Sequence, residues 1–340
     1  MAQTGKIVLE EHFALPDTID ESEQHFTPEA WPAMRHRLVD IHQTRIAEMD
    51  KAGVEVMLLS LNAPAIQAVP DVRRAIQLAR QANDYLAEQV ARRPDRLQAL
   101  AALAMQHPDA AAEELTRCVT QLGFRGALVN GFSQVEVEDS AAYYDLPQYW
   151  SFWETVEKLD VPFYLHPRDP LPSRQQIYEG HPWFLGSAWA FTAETATHAL
   201  RLMASGLFDR FPRLQFVLGH LGECLPYNIF RIDSRLKKIP RGIPAKRPMA
   251  EYLRRNFYLT TSGNFRTPTL MDAIAEVGSD RILFSADYPF EGLQDAAEWF
   301  DHAGISENER LRIGRTNAQA LFKLGVAAGR ADRGLVAAQD

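Results

Sequence analysis

The run KIVLEEHF (6–13) ends on Glu10-Glu11-His12. Alternate residues of a strand share a face, so Glu10 and His12 point one way and Glu11 the other. Other apolar runs end at His166 in VPFYLHP (161–167), at His220 in LQFVLGH (214–220) and at Asp287 in RILFSADYP (281–289). Three imidazoles and two carboxylates at strand ends are the donor set of a divalent ion that takes nitrogen and oxygen: zinc, manganese or iron(II). Taken singly, His166 reads as a satisfied polar residue and Asp287 as a turn or helix cap. Glu10 resists such a reading, because an unpaired carboxylate inside a barrel is costly. His220 is open between two roles, as a ligand or as an acid/base. Glu223, three residues on, can bond one ring nitrogen, set the tautomer and leave the other nitrogen for chemistry, which favours the acid/base role.

These positions matter only if the strands that carry them converge. Eight apolar runs alternate with helical patterns: 6–13, 54–62, 97–103, 126–132, 161–167, 214–220, 256–263 and 281–289. Between them lie helices such as 71–93, with Val72, Ile76, Ala79, Ala82, Leu86 and Val90 on one stripe, and 109–122, opened by Pro108. Alternation of this kind predicts an α/β protein with a parallel sheet, and eight strands predict a (β/α)₈ barrel. An open doubly wound sheet, the alternative, would use fewer strands. Residues 1–325 are expected to form one catalytic barrel domain, and the Ala/Arg/Gly-rich segment 326–340 a frayed tail. Two insertions, at about 14–38 and 168–190, follow strands and so belong on the C-terminal face, where barrel active sites are built. Their aromatic residues (Phe26, Trp31, Trp183, Phe184 and Trp189) suit pocket walls or a subunit contact.

Composition removes several function classes. With 36 basic and 44 acidic residues the formal charge is −8, unlike the basic field of a nucleic-acid binder. No run approaches the ~18 apolar residues of a membrane span, and the first residues do not resemble a signal peptide. A soluble, cytoplasmic protein is expected. The two cysteines, Cys118 and Cys224, make neither a disulfide framework nor a CxxC pair. Cys224 beside Glu223 has no base arranged for nucleophilic catalysis. Asn130, at the end of the fourth run, Phe290, just past Asp287, and Arg231, which can bind an anion, are the candidate substrate contacts.

Glu-x-His on the first strand, His166 in YLHPR, His220 in GHLGE and Asp287 in FSADYPFE resemble the amidohydrolase superfamily, and within it the metal-dependent, cofactor-free decarboxylases. The resemblance runs from GKIVLEEHF to GRTNAQALFKL and includes GALVNGFSQ, EKLDVPFYLHPR and DRILFSADYPFE. It implies that Glu10, His12, His166 and Asp287 hold one divalent ion, zinc or manganese, with no organic cofactor. It further implies that His220 is catalytic and that Arg231 reaches a neighbouring subunit's site in a homo-oligomer, a dimer or tetramer. The implied reaction is decarboxylation of a small aromatic hydroxy acid, with 2,6-dihydroxybenzoate favoured, Asp287 as proton donor and Glu223 orienting His220. A lactone or amide hydrolase and a non-catalytic scaffold are the rival readings. The sequence departs from the family pattern at Asp169, Ala286, Tyr288 and Cys224, and Asp169 and Tyr288 are expected to retune which acid fits.

Overall fold

The computed structural model describes residues 5–325, so the expected tail at 326–340 lies outside the described residues. Eight parallel strands run β1 (Lys6–Phe13), β2 (Val54–Leu61), β3 (Leu97–Ala99), β4 (Ala127–Asn130), β5 (Phe163–His166), β6 (Phe216–Leu218), β7 (Phe257–Thr260) and β8 (Ile282–Leu283). Ladder pairing joins β1-β2-β3 and, separately, β4-β5-β6-β7-β8. Two parallel bridges join these sheets at both seams, Ala101 with Ala127 and Glu11 with Tyr288. The strand order is therefore circular. Several strands are shorter than their apolar runs, since regular pairing stops where the chain turns into the connecting loops.

One helix packs behind each strand: α1 (Thr44–Lys51), α2 (Val72–Arg92), α3 (Pro108–Thr120), α4 (Trp150–Leu159), α5 (Ala190–Ala204), α6 (Leu225–Lys238), α7 (Thr267–Val277) and α8 (Leu293–His302). Their starts follow local chemistry. The Asp71 carboxylate accepts from Arg74 N at 2.8 Å to open α2, and His107 Nδ1 accepts from Ala110 N at 3.2 Å ahead of the first-turn proline of α3. The buried stripe of α2 is centred on Ala75, Leu78, Ala79, Ala82 and Leu86, rotated from the expected one, so that Val72, Ile76 and Val90 sit at its margin.

Inside the barrel, Ile7, Leu9, Leu58, Leu100, Leu128, Tyr164, Val217 and Leu283 form one packed layer, closed below by Ala318 and Phe322. Leu9 and Glu10 are adjacent, yet both belong to the interior. A β-bulge between Val8 and Glu11, where the pairing with Met57 and Leu59 slips by one residue, makes this possible. The bulge resets the alternation, so Glu10 and His12 continue inward above Leu9 while Glu11 turns outward.

Candidate metal centre and active site

Glu10 and His12 leave the upper end of β1, His166 ends β5, and Asp287 lies in the loop after β8. One ligand atom from each of the four falls within 4.8 Å of all the others. His12 Nε2 is 3.3 Å from Asp287 Oδ1, and His166 Nε2 is 3.3 Å from Glu10 Oε1. Glu10 Oε1, His12 Nε2 and Asp287 Oδ1 are buried without a hydrogen-bond partner among the described residues. Orphaned polar atoms of this kind are costly, and a cation seated among them would satisfy all three. The donor set fits a divalent ion.

Surrounding side chains aim these atoms. Ser60 Oγ lies 3.3 Å from His12 Nδ1, which leaves Nε2 for the centre. Glu10 Oε2 accepts from Tyr164 Oη, Ser262 Oγ and, at 3.1 Å, Thr260 Oγ1, while Oε1 stays open. Such outer contacts fix ligand orientation and basicity. Ser60, Tyr164, Thr260 and Ser262 went unnoticed in the sequence. Their signal is period two: Tyr164 precedes His166 by two, and Thr260 and Ser262 are two apart at the end of a strand run.

His220 stands beside this set. Its Nδ1 is 2.7 Å from Glu223 Oε1, and Glu223 Oε2 accepts from Thr192 Oγ1 of α5 at 2.7 Å. Its Nε2 lies 3.7 Å from Asp287 Oδ2 and 4.0 Å from Glu10 Oε1, outside the four-donor cluster. The turn from His220 to Cys224 is left-handed throughout, with φ of 52°, 56°, 85°, 53° and 61°. Four of these five residues carry a side chain, a strain of the kind concentrated at functional sites. Cys224 is exposed, and burial of its sulfur and the nearby Glu223 raise its pKa, which disfavours the thiolate.

The electrostatics separate the groups. Burial raises the pKa of Glu10, ahead of the lowering by His220. Burial also works against ionised Asp287, but the attraction of the His12 and His220 rings beside it outweighs that and brings the carboxyl to about 2. His166 is pushed well below the usual imidazole range by burial and by His12, so it is a neutral donor. Burial opposes charge on His220, yet Glu223, Glu10 and Asp287 hold it well above that range, as imidazolium.

A cavity of about 320 Å³ opens above the cluster, with His166, His220 and Asp287 at its base. Phe26, Ala63, Pro64, Leu171, Phe191 and Phe290 supply the apolar wall. Phe290 packs 5.5 Å from the His12 ring and stacks on Phe26 at 5.9 Å. The insertion at 14–38 thus contributes Phe26, with Trp31 stacked behind it, while Trp183, Phe184 and Trp189 of the second insertion are exposed.

Two expectations change. Asn130 is 2% exposed and does not line the cavity; its amide donates to Asn62 O at 3.1 Å and so supports the loop that carries Ala63 and Pro64. Tyr288 turns away from the cavity and packs under the Arg45 guanidinium, 4.6 Å from the ring centre. Arg231 is exposed on α6 and stands outside the pocket of its own chain. Asp169 does line the cavity, and its Oδ1 accepts from Gly186 N at 2.7 Å.

The sequence profile of the amidohydrolase family matches residues 19–324. The chain belongs to that family. Among amidohydrolases it is similar to decarboxylases over nearly its whole length. It is 60% identical over 322 residues to the gamma-resorcylate decarboxylase of Rhizobium sp. (strain MTP-10005), covering 94% of this chain and 98% of that one. A solved 2,6-dihydroxybenzoate decarboxylase holding 2,6-dihydroxybenzoate is 60% identical, with a TM-score of 0.93 over 95% of this amidohydrolase and 100% of the other chain. A dihydroxybenzoic acid decarboxylase from Polaromonas sp. JS666, solved with manganese and the inhibitor 2-nitroresorcinol, is 58% identical, with a TM-score of 0.93 over 95% and 98% of the two chains.

Proposed function

We propose that this amidohydrolase is a metal-dependent carboxy-lyase without an organic cofactor, which converts 2,6-dihydroxybenzoate to resorcinol and CO₂ and, at high bicarbonate, runs in reverse. One observation carries the reading: four convergent donor atoms sit at and just beneath the floor of an aromatic-walled cavity, with His220, bonded to Glu223, beside them. Full-length similarity to decarboxylases favours it over a hydrolase on the same barrel.

Direct loss of CO₂ from an arene carboxylate would leave an unstabilised aryl carbanion, so the carboxyl-bearing carbon must be protonated first. Glu10, His12, His166 and Asp287 would hold the ion, which would supply Lewis acidity there. Glu223, bonded to His220 Nδ1, favours the protonated ring. His220 Nε2 faces Asp287 Oδ2, and Asp287 passes that proton to the ring carbon. Carbon–carbon cleavage returns the bonding pair to the ring, restores aromaticity and releases CO₂; water reprotonates the His220–Asp287 pair. Phe26, Phe191 and Phe290 bracket the ring and keep water from it. No electrons are exchanged, so zinc and manganese both suit the site, and the manganese in the Polaromonas relative supports the latter.

The same reading makes residues 1–325 one catalytic domain of a cytoplasmic homo-oligomer, a dimer or tetramer. Tyr227 and Phe230, each 80% exposed on α6, flank Arg231 and offer it an intersubunit surface. The test is to incubate the protein with 2,6-dihydroxybenzoate before and after metal stripping, following resorcinol. Turnover that disappears on stripping and returns with zinc or manganese is expected. A metal-loaded protein inert toward hydroxybenzoates overturns the reading.

A further inference from the structure

Glu11 is the middle residue of Glu10-Glu11-His12 and faces away from the metal centre, yet it is fully buried. Its Oε1 accepts from Ser285 Oγ at 2.9 Å and from Ala286 N at 3.0 Å, and its Oε2 accepts from Tyr288 N at 3.0 Å. The amides on either side of Asp287 are thus bound by one carboxylate. Asp287 between them has φ of 81°, a conformation that an L-residue keeps only when its surroundings impose it.

The contacts form a closed circuit. Ser285 Oγ also accepts from the bulge amides of Leu9 at 3.3 Å and Glu10 at 2.8 Å. His12 N donates to Tyr288 O at 2.6 Å, and the buried Arg45 donates to His12 O at 2.5 Å while covering the Tyr288 ring. The bulge that turns Glu10 and His12 inward is therefore the one that sends Glu11 out to hold Asp287.

We infer that Glu11 is a positioning residue that couples the first-strand donors to Asp287 and so sets the affinity and geometry of the metal site. The inference rests on the metal-binding reading above. A carboxylate, with acceptors only, matches three convergent donors. In Glu11→Gln one acceptor becomes an NH₂ group aimed at a backbone N–H, so two donors face each other and the Asp287 loop loses its clamp.

Wild-type and Glu11→Gln proteins would be stripped and titrated with Mn²⁺ by calorimetry and electron paramagnetic resonance, with circular dichroism confirming the fold. The expected result is Mn²⁺ binding weakened about 10- to 100-fold and an altered manganese spectrum in the variant. A merely structural Glu11 would lower the melting temperature of the metal-free variant but leave the Mn²⁺ Kd and spectrum unchanged, and that outcome overturns the inference. Should wild-type protein bind no Mn²⁺, the metal reading fails instead. Hydrogen exchange on the metal-free wild type requires no variant: the amides of Ala286 and Tyr288 are expected to be protected, and exchange at open-loop rates also overturns the clamp.

Discussion

Glu223 Oε1 lies 2.7 Å from His220 Nδ1, which turns the opposite ring nitrogen toward Asp287 and the cavity. The pair comes from a single turn of chain whose backbone is left-handed from end to end. That turn places residues 220 and 223 face to face while both remain anchored at the end of β6. The strain is tolerated because Thr192 and the β7 end pack against it.

Removing this partner should act on chemistry rather than on binding. Glu223→Gln should lower kcat by about 10²- to 10⁴-fold, with KM and metal content close to wild type. Steady-state kinetics with metal analysis checks it. A parallel fall in bound metal would show that Glu223 supports the ligands instead.

Metal removal should lower stability by linkage. An ion at about 100 times its Kd adds about 2.7 kcal/mol, so the melting temperature should rise on adding Mn²⁺ to stripped protein. Asp287→Asn and His12→Ala should abolish both the rise and the turnover. Scanning calorimetry with and without Mn²⁺ reads this directly.

Gly263 sits against the His220 ring. Its φ is 60°, and a Cβ placed there would lie 3.0 Å from His220 Cδ2. Gly263→Ala should cost about 1–2 kcal/mol from the left-handed backbone alone. It should also displace His220 and lower kcat by at least about tenfold, since small misplacements of catalytic groups are expensive. Thermal melts and kinetics together separate the two effects.

Arg231, outside its own pocket, tests the assembly. Arg231→Ala and His220→Asn should each be nearly inactive alone. Mixed and co-refolded, they should regain activity, because some sites then combine an intact His220 with a neighbour's intact Arg231. Absence of recovery in mixed oligomers confirmed by native mass spectrometry removes the shared-site assignment.

Asp40 provides a pH-dependent measure of fold stability. Burial works to raise its pKa, but the amides of Gln43, Thr44 and His42 outweigh that and bring it down to about 2. A depressed carboxyl stabilises the fold above its unfolded pKa, near 4, and that stabilisation is lost as pH falls toward 2. Asp40→Ala should therefore cost about 1 kcal/mol at pH 7 and progressively less below pH 4, as read by denaturant melts across pH.

Much of this molecule was legible in one dimension. Apolar runs and amphipathic stripes mark the strands and helices, because burial of one face is a periodic and local property. Polar donors at strand ends mark the mouth of a barrel, since side chains there leave the packed layer. His220 and Glu223 could be paired from spacing alone. Other features depended on partners distant in sequence. Periodicity says that Glu10 and His12 share a face, but the bulge that turns this face inward beside an inward Leu9 comes from pairing with β2. Asn130 looked like a substrate contact until the loop at 62–64 claimed its amide, and Tyr288 like a pocket residue until Arg45 covered it. Glu11 carries no signal at all in sequence, because its three donors lie some 275 residues away and only barrel closure brings them to it. Residue types and their period are written along the chain, whereas register, loop conformation and the sharing of buried hydrogen bonds are decided only when the two ends of the sheet meet.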